Sequence, residues 1–182
     1  MLWGLAAVGG IGLLTISQLH DASSGSPVVT PSLGTLPAVA PNAVVTRVID
    51  GDTIEVDMRG NRSMVRLIGI DTPEKTGGLL AAECYGDEAT GITSRLLVPG
   101  EEVFLEGDVE PRDRYDRLLA YVHRSRDGLF INHHLVEIGA AAAKTYEPNS
   151  HHAALFGRAQ ARAKEANRGL WQTCDGPDRP LA

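Results

Sequence analysis

The chain begins with a segment that has no charge. Its first twenty residues contain no Asp, Glu, Lys or Arg, and no Lys or Arg occurs before Arg47. Because membrane orientation is read from flanking basic residues, this absence leaves the orientation of residues 1–20 undetermined. An apolar run of about 18 residues can span a bilayer as a helix, so the segment predicts export to an extracytoplasmic location.

The same segment also lacks the marks of a cleavable signal. Neither a basic start nor a small-x-small cleavage site is evident in its sequence or just after it. These absences favour an uncleaved N-terminal membrane anchor that forms an apolar helix. A cleaved signal, which would release a secreted protein, and a helix buried in a core both stay open.

Cysteine is scarce, since only Cys84 and Cys174 occur. A zinc site of the cysteine type needs closely spaced pairs, so these two residues do not predict one. An even number of cysteines in an exported chain favours a disulfide. Two unpaired, buried thiols remain the alternative.

Basic residues are also few, and the net charge is -6 at pH 7. Domains that bind nucleic acid through bulk electrostatics are typically basic, so this balance argues against that class. It does not exclude a catalytic site, because local acidic groups for a cation and local basic groups for a phosphate can coexist in an acidic protein.

The sequence is long enough for one hydrophobic core and too short for two. Residues 21–42 are rich in Ser, Gly, Pro and Thr, which predicts a disordered linker after the anchor. We therefore expect a single folded domain over residues 43–174 and a tail over residues 175–182.

Alternating apolar residues and turn signals predict the elements of this domain. We expect three helices, over residues 87–98, 132–138 (with Asn132 as N-cap) and 149–167. The predicted strands cover residues 44–49, 53–58, 64–70, 103–109 and 118–122, and a hairpin turn signal at Asp127-Gly128 predicts that the chain returns over residues 129–131. This order predicts an α+β fold in which five strands close into a Greek-key barrel of the OB-fold type.

Three segments carry the residues with catalytic chemistry. Asp-Gly-Asp-Thr stands at 50–53, Arg-Leu-Ile-Gly-Ile-Asp-Thr-Pro-Glu at 66–74, and Asp-Arg-Tyr-Asp-Arg at 113–117. Carboxylates can hold a hard cation and accept a proton, and guanidinium groups can stabilise an oxyanion. The combination is typical of metal-assisted cleavage of a phosphodiester, and it predicts a nuclease.

From about residue 44 to residue 171, these motifs and the predicted element order resemble staphylococcal (micrococcal) nuclease, the thermonuclease family. The resemblance implies an OB-fold barrel with three helices and a Ca²⁺-dependent endonuclease, a hydrolase that acts on DNA and RNA. It also implies attack by water on phosphorus and 3′-phosphate products. We expect nucleic acid as the substrate, the membrane as a partner of the N-terminal helix, and a monomer.

The resemblance assigns roles to individual residues. It implies that the metal ligands are the carboxylates of Asp52 and Asp71 and the backbone carbonyl of Thr72, and that Glu74 orients or deprotonates the attacking water. The family pattern places the remaining functional residues in two groups, a phosphate clamp of Arg66 and Arg117 and a nucleotide-binding set of Arg114, Tyr115 and Tyr146.

Two positions depart from the family pattern. Asp116 stands where a glycine is usual, which places a negative charge beside Arg117. Lys144 stands where the family has a second tyrosine that packs on the base. We expect these departures to weaken phosphate binding and base stacking, respectively.

These residues also have more ordinary interpretations. Each motif alone is an ordinary turn, element end or solvated loop, and only their joint occurrence indicates a site. An EF-hand at residues 50–61 fails because Glu55 stands where the loop needs Gly. The doublets at 133–134 and 151–152 predict surface histidines, since metal-binding pairs on helices prefer i, i+4 spacing.

A non-catalytic OB-fold binding module is the rival function, and it would be expected to have lost the metal and clamp residues.

Overall fold

The computed structural model describes residues 40–181. The predicted anchor at residues 1–20 and nearly all of the predicted linker therefore lie outside the described residues. Within 40–181, no helix has the length and apolar character needed to cross a membrane. Asn42 already belongs to the folded part, because its side chain exchanges two hydrogen bonds with the backbone of Leu105 at 2.8 and 3.0 Å.

The described chain contains eight strands. They are β1 (Ala43–Val48), β2 (Thr53–Met58), β3 (Asn61–Leu67), β4 (Ile70–Asp71), β5 (Glu102–Glu106), β6 (Leu118–Arg124), β7 (Leu129–Phe130) and β8 (Ala142–Ala143). The main sheet has the order β3-β2-β1-β5-β6-β7. Parallel pairing of β3 with β6 closes β1, β2, β3, β5 and β6 into a barrel, which confirms the predicted five-stranded fold.

The barrel forms because alternate residues on its strands are apolar and point inward. Val45, Ile54, Val56, Val65 and Leu67 are at most 1% exposed, and they meet across the interior. Burying side chains of this size stabilises by about 1.5 to 3 kcal/mol each. This core fixes the register of β2 and β3, and both strands lead into the candidate site.

Four helices lie outside the barrel strands in the described residues: α1 (Gly86–Leu96), α2 (Ile131–Glu137), α3 (Ala153–Glu165) and α4 (Leu170–Thr173). The first three match the predicted helices to within a few residues. The return predicted over residues 129–131 is present as β7, antiparallel to β6. The single turn of α4 and the short pair formed by β4 and β8 were not predicted as elements.

Two local predictions were wrong. The strand expected to reach Val109 ends at Glu106, and Val109 is exposed. Asn132 does not cap α2 but lies inside that helix, fully buried. Its side chain accepts a hydrogen bond from Val122 N at 2.9 Å and donates one to Ile68 O at 2.9 Å, so it ties α2 to the barrel.

Cys84 and Cys174 form a disulfide in the structure, with Cα atoms 5.9 Å apart. The bridge joins the loop before α1 to the end of α4. Part of the segment assigned to the tail lies against the same loop, because Cys84 N donates to Arg179 O at 2.7 Å and Leu181 N donates to Ala82 O at 3.0 Å.

Candidate active site

The turn between β1 and β2 positions the first acidic residue of the site. A Cβ atom on Gly51 would lie 2.6 Å from Thr72 Oγ1, so only glycine allows the turn to pack against residue 72. Thr93 of α1 donates a hydrogen bond to Gly51 O at 2.7 Å. The turn is therefore held from two sides, which fixes the direction of the Asp52 side chain.

Asp52 is a buried carboxylate, only 6% exposed. Its Oδ2 atom accepts hydrogen bonds from Thr72 N at 2.9 Å and Thr72 Oγ1 at 3.0 Å. Burial raises the pKa of Asp52 to about 6, and the negative charge of Asp50 adds to the rise, while Arg66 and Thr72 oppose it. The protein thus holds a carboxylate where its negative charge is poorly compensated.

Arg66 of β3 joins two of the predicted metal ligands. Its Nη1 atom lies 2.9 Å from Asp52 Oδ2, and its Nη2 atom lies 3.0 Å from Asp71 Oδ1. Nη1 also donates to Leu67 O at 2.8 Å. The planar guanidinium group is therefore oriented by three acceptors at the end of the barrel strand.

Asp71 lies at the end of β4, and its second oxygen has a partner of its own. Lys144, the residue that follows β8, donates a hydrogen bond from Nζ to Asp71 Oδ2 at 2.6 Å. This bond raises the pKa of Lys144. The β4–β8 pairing, Ile70 with Ala143, brings the lysine to this position.

Glu74 follows the same segment and is held through its backbone. Its N atom donates to Glu83 Oε2 at 3.1 Å, and its carbonyl accepts from Glu83 N at 2.8 Å. A Cβ atom on Gly86 would collide with the Glu74 carbonyl oxygen, so glycine permits this close approach. Burial raises the pKa of the Glu74 carboxyl, and the charges of Asp50, Glu83 and Asp71 raise it further.

The donor set of this group fits a hard cation. Asp52, Asp71 and Glu74 offer only oxygen atoms, and Ca²⁺ prefers six to eight oxygen ligands. Their carboxylates, together with Asp50, outnumber the nearby positive charges of Arg66 and Lys144, as the raised pKa values of Asp52 and Glu74 reflect. A bound cation would compensate the excess negative charge.

Arg117 belongs to a second group, in the loop that leads into β6. Its Nε atom donates to Asp113 Oδ2 at 2.7 Å, and its backbone N donates to Asp113 Oδ1 at 3.0 Å. The parallel register of β3 and β6 sets Arg66 opposite Leu119, two residues beyond Arg117. The pairing thus carries this loop to the strand that bears Arg66.

The predicted nucleotide-binding residues are exposed and lie near positive charges. Tyr115 is 65% exposed, its hydroxyl accepts from Arg114 Nη2 at 2.7 Å, and the guanidinium carbon of Arg117 lies 5.6 Å from its ring centre. Tyr146 is half-exposed, and Lys144 Nζ lies 5.4 Å from its ring centre. Exposed aromatic faces next to cations can receive a base and a phosphate.

Asp116 contacts a different arginine from the one that the sequence suggested. Its backbone has φ 64°, the left-handed region that glycine adopts most easily. Its carboxylate pairs with Arg112 at 3.2 Å and is 86% exposed, whereas Arg117 pairs with Asp113.

The structure brings Asp52, Arg66, Asp71 and Thr72 into direct contact and places Glu74 within their electrostatic influence. Arg114, Tyr115 and Arg117 form the second group, and Tyr146 approaches the first group through Lys144. Sequence reasoning missed Glu83 and the contact of Lys144 with Asp71. Neither stands in a recognisable motif, and both reach the site only through the tertiary fold.

Comparison with known proteins gives consistent matches. A family model described as "Staphylococcal nuclease homologue" matches residues 64–173, which include all the residues predicted to bind metal, phosphate or nucleotide or to transfer a proton except Asp52. The Thermonuclease of Staphylococcus hyicus is 40% identical over 127 residues, covering 70% of this chain and 73% of that protein. The Thermonuclease of Staphylococcus intermedius is 42% identical over 129 residues, covering 71% and 75%. Endonuclease YncB of Bacillus subtilis (strain 168) is 36% identical over 132 residues, covering 71% and 61%.

Proposed function

The chain belongs to the staphylococcal nuclease homologue family and is a nuclease, and on that premise we propose that it is a Ca²⁺-dependent endonuclease that hydrolyses phosphodiester bonds of DNA, RNA or both. The names of its relatives, Thermonuclease and Endonuclease, imply a nucleic acid substrate. A binding module without turnover, the rival function, would be expected to have lost the metal and clamp residues. All of them are present in this chain, which disfavours the rival.

One observation carries the proposal of metal dependence. Asp52 and Asp71 converge on the same guanidinium group, yet burial and the charge of Asp50 keep the pKa of Asp52 raised to about 6. Such a concentration of negative charge is costly in a purely structural role, but it is what a cation site needs.

In this proposal, the side chains of Asp52 and Asp71 and the carbonyl of Thr72 hold Ca²⁺. The ion supplies Lewis-acid polarisation of the phosphate and of the attacking water. Glu74 accepts a proton from that water, and its raised pKa moves it toward the range of an effective general base. Arg66 and Arg117 each exchange a carboxylate partner for a phosphate oxygen and stabilise the charge that develops there.

The substrate and product follow from the same groups. Tyr115 and Tyr146 are exposed and offer faces for an unstacked base, so we propose a preference for single-stranded or frayed nucleic acid. Loss of the 5′ oxygen would leave 3′-phosphate products, as the family resemblance implies.

We also propose that the enzyme acts outside the cytoplasm as a monomer, either anchored by residues 1–20 or released after cleavage. The uncharged apolar start supports export. The disulfide between Cys84 and Cys174 fits an oxidising compartment. Cell fractionation followed by activity staining would place the protein, and recovery in the cytoplasm alone would contradict this part of the proposal.

Digestion of plasmid DNA, denatured DNA and RNA by the purified chain tests the nuclease proposal. We expect cleavage in Ca²⁺, none in excess chelator, recovery when Ca²⁺ is restored, and faster cleavage of denatured than of duplex DNA. End-labelling after phosphatase treatment identifies 3′-phosphates. Cleavage that persists unchanged in chelator would contradict Ca²⁺ dependence.

A further inference from the structure

A second group of potential metal ligands lies outside the residues assigned to the candidate active site. One carboxylate oxygen of Glu106 and one ring nitrogen each of His151 and His152 all lie within 4.8 Å of one another. Glu106 and His152 are half-buried, whereas His151 is exposed and open to an entering ion. None of the three has a role in phosphodiester hydrolysis as proposed above.

The fold, not the sequence spacing, creates this group. Glu106 is the last residue of β5, and the two histidines occupy the turn immediately before α3. The preference for i, i+4 spacing applies to pairs on helices, and His151 and His152 are not helical. The prediction of surface histidines at 151–152 assumed a helix there, whereas both residues lie in a turn.

The printed distance between two of the ligand atoms suits a small tetrahedral ion, and the third ligand lies on exposed His151, within 4.8 Å of both. Glu106 Oε1 lies 3.3 Å from His152 Nε2. Two ligand atoms bound at about 2.0 Å to a tetrahedral ion such as Zn²⁺ are separated by about 3.3 Å. Two imidazoles and one carboxylate, with a fourth position left for water, match known zinc ligand sets and differ from the all-oxygen sets of Ca²⁺.

Neighbouring residues hold the ligands in place. His123 Nε2 lies 2.8 Å from the other oxygen of Glu106, and so orients the carboxylate. His151 N donates to Asp108 Oδ2 at 3.0 Å, and the Tyr121 hydroxyl donates to the same oxygen at 2.9 Å. The His152 ring packs against the Tyr121 ring, with centres 4.5 Å apart. A hydrogen-bonded ligating carboxylate such as Glu106 is typical of metal sites, and the other contacts fix the turn that carries the two histidines.

We propose that Glu106, His151 and His152 bind a divalent transition-metal ion of the zinc type. The ion connects the end of β5 to the turn that starts α3. Tyr146 lies five residues before His151. The segment between them is already held at Asn149, whose side chain exchanges hydrogen bonds with the backbone of Glu110 at 2.8 and 3.0 Å. A bound ion would add a second point of attachment to this segment. This site shares no ligand with the proposed Ca²⁺ site.

Cobalt absorption spectroscopy of the purified full chain tests the proposal. Co²⁺ would be titrated in excess Ca²⁺, which occupies the oxygen-rich site and leaves the nitrogen ligands free. We expect one equivalent of Co²⁺ to give the intense visible bands of tetrahedral coordination and to be displaced by Zn²⁺. Zn²⁺ should also raise Tm by several degrees, since it binds the folded state. Absence of these bands in the wild-type chain overturns the proposal.

Variants locate the site. His151→Ala and Glu106→Gln should each weaken Co²⁺ binding by about a hundredfold or more, since losing even a supporting partner costs about 10- to 100-fold. His134→Ala is the matched control, because it removes a histidine on α2 and should leave the affinity within about twofold. Equal loss in all three variants, or in none, contradicts the assignment. Because His151 is exposed, His151→Ala should keep the wild-type circular dichroism spectrum, which must be checked first.

Discussion

Two regions of this molecule shift the pKa values of their carboxyl groups in opposite directions. Around the ends of β2, β3 and β4, burial raises the pKa values of Asp52 and Glu74, and neighbouring carboxylates raise them further. In the loop before β6, burial alone would raise the pKa of Asp113, but hydrogen bonds from Arg117 and from the backbone of Arg117 and Tyr115 lower it. One region keeps its negative charge undercompensated, and the other neutralises it locally.

The difference separates a functional carboxylate from a structural one. The Asp113 carboxylate accepts three hydrogen bonds, all within its own loop, and so it stabilises the loop that presents Arg117. Arg66 and Thr72 neutralise Asp52 only in part, so burial still raises its pKa, and Glu74 is raised in the same direction. Both carboxylates therefore tend to destabilise the ion-free fold when charged. Charged groups that destabilise the fold and have no structural role indicate a place where a ligand is expected to bind.

The largest effect is expected from Glu74→Gln, which removes a proton acceptor from the undercompensated region. We expect kcat to fall by about 10²- to 10⁴-fold, since that is the usual contribution of a general base. Because the Glu74 pKa is raised, removing its charge relieves repulsion, so Tm without Ca²⁺ at neutral pH should be unchanged or higher. Single-turnover cleavage and thermal unfolding measure the two quantities.

Glu88→Gln provides the control for this variant, because Glu88 is an exposed carboxylate in the first turn of α1. It should leave kcat within about twofold, as expected for a surface charge. A Glu74→Gln enzyme with wild-type kcat would remove Glu74 from the proton transfer.

Arg117→Lys tests the opposite region and should have the next largest effect. Lysine keeps the charge but loses the planar pair of donors, so we expect kcat/KM to fall by about 10- to 100-fold. Arg112→Lys in the same loop is the control, since Arg112 pairs only with the exposed Asp116 among acidic side chains of the described chain. Equal losses in both variants would mean that the loop is disturbed as a whole.

Asp113→Asn isolates the structural carboxylate. Because the folded-state pKa of Asp113 is lowered, its ionised form stabilises the fold above the unfolded-state pKa of about 3.9, and this stability is lost as pH falls through the folded value. Urea unfolding should therefore show wild type more stable than the variant at pH 7, with the gap closing below about pH 4. Asp116→Asn, at an exposed position in the same loop, should show a smaller gap at every pH. A gap that widens on acidification would reverse the assignment.

The sequence allowed the barrel to be predicted because its strands alternate and its turns carry Gly and Asp. It did not show that the barrel closes through parallel pairing of β3 with β6, because that pairing depends on packing between segments about fifty residues apart. Asn132 shows the limit of local signals, because a good N-cap residue serves here as a buried link between α2 and the barrel. In the site, Asp52, Arg66 and Asp71 stand in motifs, whereas Glu83 and Lys144 become neighbours only through the fold.

Lys144→Gln should have the smallest effect, and it bears directly on the contrast between the two regions. Lys144 is the one lysine that pairs with a predicted metal ligand in the described chain, and its side chain is 47% exposed. If it competes with Ca²⁺ for Asp71, its removal should strengthen Ca²⁺ binding by about two- to fivefold, the range of an exposed ion pair. Calorimetric titration of Ca²⁺ measures this, with Lys164→Gln on α3 as a control of equal charge change. Weaker Ca²⁺ binding would instead mean that Lys144 holds Asp71 in the orientation that binds the ion. The Lys144 side chain would then support Asp71 in the way that Arg117 supports Asp113.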